Sequence, residues 1–306
     1  MKNNKIYIIG SGAIGKALAV FLQHEKKNVV LVRGSVDNLP DEETLITVTN
    51  QDHQKFQQKI TTTTFSNLTD INGVVLIATK TFANAKLAQI LNDKKGSFSI
   101  ILLQNGLNIE RPFASFEEVY RCVLFSTSQI QSENEIAFKT VAASPIGKIQ
   151  QHNSNQDELI DHIDTPYFSF ESVPDISKHV WIKVVINCAF NSICPLLEID
   201  NGIFYRNSEA VKLASIIIGE CVALAGKYEV ELDQKEIEGK LVLISRRSDG
   251  QLISTYEDIR NKRRTEIESL NLEISRLANE IGMPELVTNT RLLGEMIGLK
   301  SQIKVD

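Results

Sequence analysis

A short apolar strand, Lys5-Ile-Tyr-Ile-Ile9, runs directly into Gly10-Ser11-Gly12-Ala13-Ile14-Gly15 and then into Lys16-Ala-Leu-Ala-Val-Phe-Leu22, whose spacing is helical. Strand, G-x-G-x-x-G and helix, in that order, form the fingerprint of a dinucleotide-binding βαβ fold. Gly10 makes the tight turn, Gly12 lets a pyrophosphate approach the backbone at the helix N-terminus, and Gly15 lets helix and strand pack closely. Ser11, Ala13 and Ile14 complete the loop and are read with the glycines as cofactor-binding. A glycine triplet alone is a weak signal, since a chance turn gives the same letters. The flanking strand and helix make it a strong one.

The second strand, Asn28-Val-Val-Leu-Val-Arg33, speaks to the choice of nucleotide. An NAD site usually carries an acidic residue there for the ribose 2′-hydroxyl. Arg33 instead suits a 2′-phosphate through charge-assisted hydrogen bonds, and NADPH is the cofactor expected. The bland alternative is a solvated arginine at a strand end.

Periodicity predicts strands over 5–9, 28–33, 44–49, 74–78 and 98–103, with helices near 13–25 and 83–93. Strand-like runs at 119–126, 137–143, 146–151 and 167–172 continue the sheet with antiparallel edges. From about 175 the period becomes helical, over 177–195, 207–228, 234–246, 262–281 and 285–298. The fold class expected is α/β: an N-terminal Rossmann-type dinucleotide-binding domain (1–174) and a C-terminal all-helical substrate and catalytic domain (175–306). A length of 306 residues suits two domains.

A net charge of −5 offers no basic field for nucleic acid. No apolar run is read as approaching the roughly 20 residues of a membrane span. With no leader-like apolar region before the first strand, a cytoplasmic location is expected. Cys122, Cys188, Cys194 and Cys221 form no C-x-x-C pair and are read as reduced, mostly buried thiols. His24, His53, His152, His162 and His179 lack metal-ligand spacing, so no metal is expected. The sequence leaves the oligomeric state open, a homodimer being one option.

Helix 177–195 is apolar almost everywhere outside a stripe at Lys183, Asn187 and Asn191. Residues four apart share a helix face. Solvated faces favour Glu, Lys, Arg and Gln, whereas Asn forms helix poorly, so two Asn in strict register suggest hydrogen bonding to a ligand. An ordinary solvated face is the competing reading. Lys80 and Asn105 each follow a strand, at the edge where open α/β sheets bind ligands. Either can reach the nicotinamide end of the cofactor or the substrate beside it, although Asn-Gly is also a common turn.

Taken in order, Gly10-x-Gly-x-x-Gly15, Arg33, Lys80, Gln104-Asn105-Gly106, Lys183-x3-Asn187-x3-Asn191, Asn201-Gly202, Ser254-x3-Asp258 and Arg264-Thr-Glu266-Ile-Glu268 resemble the ketopantoate reductase (2-dehydropantoate 2-reductase) family across essentially the whole chain. The resemblance implies NADPH-dependent reduction of a 2-keto acid to a 2-hydroxy acid such as pantoate, on the pantothenate route to coenzyme A. It implies that Asn187, Asn191 and Asn201 position the substrate, that Ser254 binds its carboxylate and that Glu266 binds its hydroxyl region. Hydride addition builds negative charge on the ketone oxygen. Lys183 is placed to stabilise that charge and donate a proton, with a pKa lowered by its apolar setting. Lys183 and Glu266 are thus the expected catalytic pair, in a cleft between the domains. Glu266 has a plainer alternative, an ion pair within Lys262-Arg263-Arg264. The chain departs from the family pattern at Asn108, Leu124, Ser192 and Leu272. Rival readings are a β-hydroxyacid dehydrogenase of the 6-phosphogluconate type, a non-catalytic NADPH-sensing regulator and a purely structural protein.

Overall fold

The computed structural model describes residues 5–149 and 156–303. It divides into two compact units, one of Met1–Gln104 with Ile109–Ile176 and one of Asn105–Asn108 with Ser177–Asp306.

The first unit is built from β1 (Lys5–Ile9), α1 (Ala13–His24), β2 (Val29–Val32), β3 (Glu42–Thr49), β4 (Lys55–Thr63), β5 (Gly73–Ile77), α2 (Asn84–Asn92), β6 (Phe98–Leu102), β7 (Val119–Cys122), β8 (Ser126–Ser132), β9 (Glu135–Thr140), β10 (Ser144–Gly147), α3 (Gln156–Ile163) and β11 (Phe170–Ser172). Among the described residues these strands form one 11-stranded sheet, ordered β11-β10-β7-β6-β5-β1-β2-β4-β3-β9-β8. Its centre, from β7 to β4, is parallel. β1 shows why. Ile6 and Ile8 pack on one face with Leu18, Phe21 and Leu22 of α1, while Tyr7 and Ile9 pack on the other with Leu87 and Leu91 of α2. A strand buried on both faces needs an unbroken apolar run, and that run is legible in the sequence.

Two strands escape the sequence reading. β4 carries two large apolar residues, Phe56 and Ile60, and their spacing of four reads as helical. In the sheet Phe56, Ile60 and Thr62 share one buried face, with Phe56 5.2 Å from the Phe21 ring. β8, Ser-Thr-Ser-Gln-Ile-Gln-Ser, is an edge strand exposed over most of its length, so pairing with β9 and not side-chain burial defines it. Between them β7 stops at Cys122, short of the expected 126. The antiparallel edge expected is present where β8 pairs β9. At the other edge β11 runs parallel to β10, which is itself antiparallel to β7. Residues 150 and 151 of the strand expected over 146–151 lie outside the described residues, as does His152.

The second unit comprises α4 (Ser177–Leu197), α5 (Ile203–Arg206), α6 (Ser208–Lys227), α7 (Gln234–Arg247), α8 (Ser254–Arg260), α9 (Asn271–Glu280) and α10 (Thr288–Gln302). α4 is its core, packed by α6, α7, α8 and α10. One expectation needs correcting here. α4 spans 21 residues at a hydropathy of 1.6, long and apolar enough to cross a membrane by composition; its most apolar window is 72% buried inside the protein, as a core helix is. The helix expected over 262–281 is in fact a 3-10 turn at Ile267–Ser269 followed by α9. The ends that matter are capped: Asn207 accepts from the Glu209 and Ala210 amides, Asp233 from the Glu236 amide, and the Glu220 carboxylate from the Asn289 and Thr290 amides at the start of α10.

Candidate active site

The carboxyl ends of β1, β2, β5 and β6 lie level. Ile9 pairs with both Val32 and Ile77, and Ile77 with Leu102. The rungs continue one step beyond: Gly10 N donates to Val32 O at 3.0 Å, Ala78 N to Ile9 O at 2.9 Å and Leu103 N to Ile77 O at 3.0 Å. The Gly10–Gly15 loop, Arg33 and the approach to Lys80 therefore share one edge. Strand order reverses at β1, with β2 on one side and β5 on the other, and such a switch point is where open sheets bind ligands.

The glycines differ in role. Gly10 has φ +116° and an added Cβ would lie 2.9 Å from Thr79 N, while one on Gly15 would lie 1.9 Å from Gly10 O. Packing within the unit forces both. At Gly12 a Cβ would meet nothing within 4 Å; it would instead fill the room above the helix. α1 begins there with no side-chain cap and no acidic residue in its first turn. Uncapped N–H groups and the positive end of the helix dipole suit a pyrophosphate, so this chain fits the nucleotide its motif calls for.

Arg33 is anchored through its backbone N–H to Thr63 O at 2.9 Å. Its Nη2 donates to Glu42 Oε2 at 2.6 Å, and its Nη1 is buried without a hydrogen-bond partner among the described residues. A buried donor left unsatisfied costs about 1–3 kcal/mol. The guanidinium thus has one donor taken by Glu42 and another buried and unsatisfied. Lys80 is half-buried just before a 3-10 turn at Thr81–Ala83. Gln104 serves the scaffold: its Nε2 donates to Asn84 Oδ1 at 2.7 Å, and Asn84 Nδ2 donates back to Gln104 Oε1 at 2.9 Å and on to Ile109 O at 3.0 Å. Asn84 had not been singled out; as the first residue of a helix it resembles an ordinary terminus.

Asn105, read as part of the nucleotide domain, clusters by contacts with the helical unit. Leu107 N donates to Ser269 O at 3.0 Å, and Asn108 Nδ2 to Glu273 Oε1 at 2.6 Å. Ser269 in turn donates from its N and Oγ, both at 3.0 Å, to the carbonyl of Glu266. The Asn105 loop and the Glu266 turn are one assembly. Asn108 has φ +54°, a left-handed position that asparagine tolerates better than most residues other than glycine. Gly106 has φ +116°, and an added Cβ would sit 2.6 Å from the Ser269 Cβ. Gly106→Ala should therefore lower the melting temperature by several degrees, at about 1–3 kcal/mol of backbone strain and about 2–4 °C per kcal/mol. An unchanged melting curve would show that this loop is not seated on Ser269.

On α4, Lys183 and Asn187 are half-buried and Asn191 is buried. Asn191 Nδ2 donates to Asn187 O at 3.0 Å, which leaves its buried Oδ1 without a donor among the described residues, and Asn201 Oδ1 is in the same condition. Pro195, one turn on, has no N–H to offer the carbonyl of Asn191. Ser192 bonds back to Cys188 O at 2.6 Å. Asn201 is held by its backbone, N to Gln251 O at 2.8 Å and O from Ser245 Oγ at 2.5 Å. Next to it Asp200 binds Arg206 and the Gly202 and Gly250 amides, and the guanidinium first of all holds the Asp200 carboxyl down to about 2.

Asn271, fully buried, reaches from the start of α9 to Cys188 O on α4 at 3.2 Å and to Thr290 O on α10 at 3.4 Å. It was visible in sequence only as the residue before Leu272. Leu272 itself is accommodated by Gly294 of α10, where an added Cβ would lie 3.0 Å from its Cδ2. Leu124 joins the core of the first unit. Nearby, Arg263 Nε meets Asp258 at 2.9 Å and Arg264 meets Glu268 at 2.5 Å. Ser254 is exposed at the first position of α8, which packs on α4. All four cysteines are free and buried. Burial pushes the Cys194 thiol up to about 12 and raises the Cys188 thiol, beside Cys221, well above the usual range, so neither supplies a thiolate nucleophile. No metal-binding cluster occurs among the described residues.

Two family models match the chain, "Ketopantoate reductase PanE/ApbA" over residues 6–151 and "Ketopantoate reductase PanE/ApbA C terminal" over residues 175–300. The 2-dehydropantoate 2-reductase of Streptococcus pyogenes serotype M6 is 23% identical over 311 residues, covering 97% of this chain and 98% of that one. The solved dimeric ketopantoate reductase from Staphylococcus aureus superposes with a TM-score of 0.81 at 21% identity, over 97% and 99% of the two chains. A D-mandelate dehydrogenase solved with NADH and anilino(oxo)acetate gives 0.82 at 21% identity, over 97% and 98%.

Proposed function

The chain belongs to the ketopantoate reductase PanE/ApbA family, and we propose on that premise that it reduces 2-dehydropantoate to pantoate with NADPH, as a cytoplasmic enzyme of pantothenate biosynthesis. One observation carries the reading furthest: the Lys183-Asn187-Asn191 stripe lies on a core helix, and Asn191 and Asn201 hold buried amide oxygens without donors among the described residues. An amide oxygen so placed asks for a hydroxyl or N–H from outside the protein. 2-Dehydropantoate carries a hydroxyl as well as a ketone and a carboxylate.

When bound, NADPH supplies the hydride. The Gly10–Gly15 loop would hold its pyrophosphate and Arg33 its 2′-phosphate, and Lys80 and Asn105 are assigned to its nicotinamide end. Lys183 neutralises the charge that develops on the ketone oxygen and gives it the proton, while Asn187, Asn191 and Asn201 orient the substrate. Ser254 binds the carboxylate and Glu266 the hydroxyl. A keto-acid substrate and self-assembly as a homodimer belong to the same reading.

The test is NADPH oxidation across 2-keto acids: 2-dehydropantoate, pyruvate, a branched aliphatic acid and an aryl acid. Under this reading 2-dehydropantoate has the highest kcat/KM. A hydroxyl-free acid turned over faster would transfer the chain to a different 2-keto acid, and no oxidation with any of them would favour a regulator. Light scattering settles the assembly.

A further inference from the structure

The partner of Arg33 bears on cofactor choice in a way the glycine motif does not. Dinucleotide sites that select NADH place an acidic residue at the end of the second strand. Here that position is Arg33, but a carboxylate reaches the same spot from elsewhere in the chain. Glu42 opens β3, and its Oε2 accepts from Arg33 Nη2 at 2.6 Å. Sheet register fixes this meeting: Arg33 N is bonded to Thr63 O, and Glu42 pairs with Thr62, so both residues are carried by the end of β4. The intervening loop is pinned as well. Asp37 accepts from the Ser66 amide at 2.8 Å, and Asp41 accepts from Thr63 Oγ1 at 2.6 Å and Asn67 Nδ2 at 2.8 Å.

The two side chains are unequally sheltered, Arg33 being 18% exposed and Glu42 61%. The pair turns Arg33 so that Nη1 is buried and unpartnered, while Nη2 is taken by a carboxylate. A guanidinium binds phosphate best by presenting two N–H groups side by side. Neither edge is presented while Glu42 holds on.

We propose that Glu42 is a specificity-determining residue: its carboxylate occupies the Arg33 fork that the 2′-phosphate of NADPH must take, and so narrows the preference for NADPH over NADH. This rests on Arg33 being the 2′-phosphate ligand. NADPH must displace an exposed carboxylate and then lie beside its negative charge. NADH does neither, and Glu42 offers its 2′-hydroxyl an acceptor.

The experiment is direct titration of NADPH and NADH by calorimetry, with the full chain, on the native protein, Glu42→Gln, Arg33→Ala and the double variant. Glu42→Gln is nearly isosteric at an exposed site, and a thermal melt confirms its fold. It should tighten NADPH by about three- to tenfold, the scale of breaking an exposed ion pair and removing a like charge, and leave NADH within about twofold. In the Arg33→Ala background the same change should alter NADPH affinity by less than about twofold. Weaker or unchanged NADPH binding by Glu42→Gln, with Arg33→Ala still selectively costing NADPH, would overturn the competition and make Glu42 a support for the guanidinium. Arg33→Ala weakening NADPH no more than NADH would remove Arg33 from the 2′-phosphate and overturn both readings.

Discussion

Replacing Lys183 by alanine should lower kcat by about 10²–10⁴ while moving the NADPH dissociation constant by less than about twofold, the range expected when a positioned proton donor is lost. Hydride addition leaves an alkoxide that must be neutralised as it forms, and Lys183 is the cation on the polar stripe of α4. The nucleotide is assigned to other residues, so its binding should be spared. The Val184 and Val185 side chains beside it are buried while Lys183 is half-buried, and truncation to alanine at such a helix site leaves the core intact. Single-turnover kinetics with saturating NADPH and 2-dehydropantoate decide the matter. Unchanged turnover would take Lys183 out of the mechanism. A loss confined to KM would recast it as a binding residue.

The second large effect concerns Arg33. Arg33→Ala should weaken NADPH by roughly 10- to 150-fold and leave NADH little altered, since one bidentate charge-assisted contact is worth about 1.5–3 kcal/mol. The lower end is expected, because the free guanidinium already spends one donor on Glu42. Equal affinity of the unmodified protein for the two cofactors would defeat it.

Legibility in the sequence followed the physics of burial. The parallel centre was readable because β1, β2, β5 and β6 are buried on both faces and their apolar runs are nearly unbroken. β4 was not, since its two large apolar residues stand four apart, and β8 was not, since hydrogen bonds to β9 hold it and composition cannot express that. α4 was legible in both extent and polar face, and its Val, Ile, Leu and Phe residues keep its average at a membrane-spanning level despite Lys183 and the asparagines. Gly10, Gly12, Gly15, Arg33 and the asparagine stripe stood out as residue types uncommon in their local structure. Asn84, Asn271, Ser269 and Glu42 act through partners 9 to 83 or more positions away or through a folded-back turn. A helix start, a buried amide and an exposed strand glutamate carry no such mark. Asn108 looked like a departure and is instead an equivalent solution to a left-handed backbone.

The membership of Asn105–Asn108 in the helical unit bears on how this polypeptide can be divided. A gene cut after Ile176 would express a Rossmann fragment still carrying Leu107 and Asn108, and a helical fragment stripped of them. The first would leave the Leu107 backbone N–H without the Ser269 carbonyl it donates to. The second would lose the strap across Ser269 and Glu273. Shuffling the halves between relatives at a single junction would mismatch this strap in the same way. Chimaeras that carry residues 105–108 along with the helical half should express as soluble protein where single-junction ones fail.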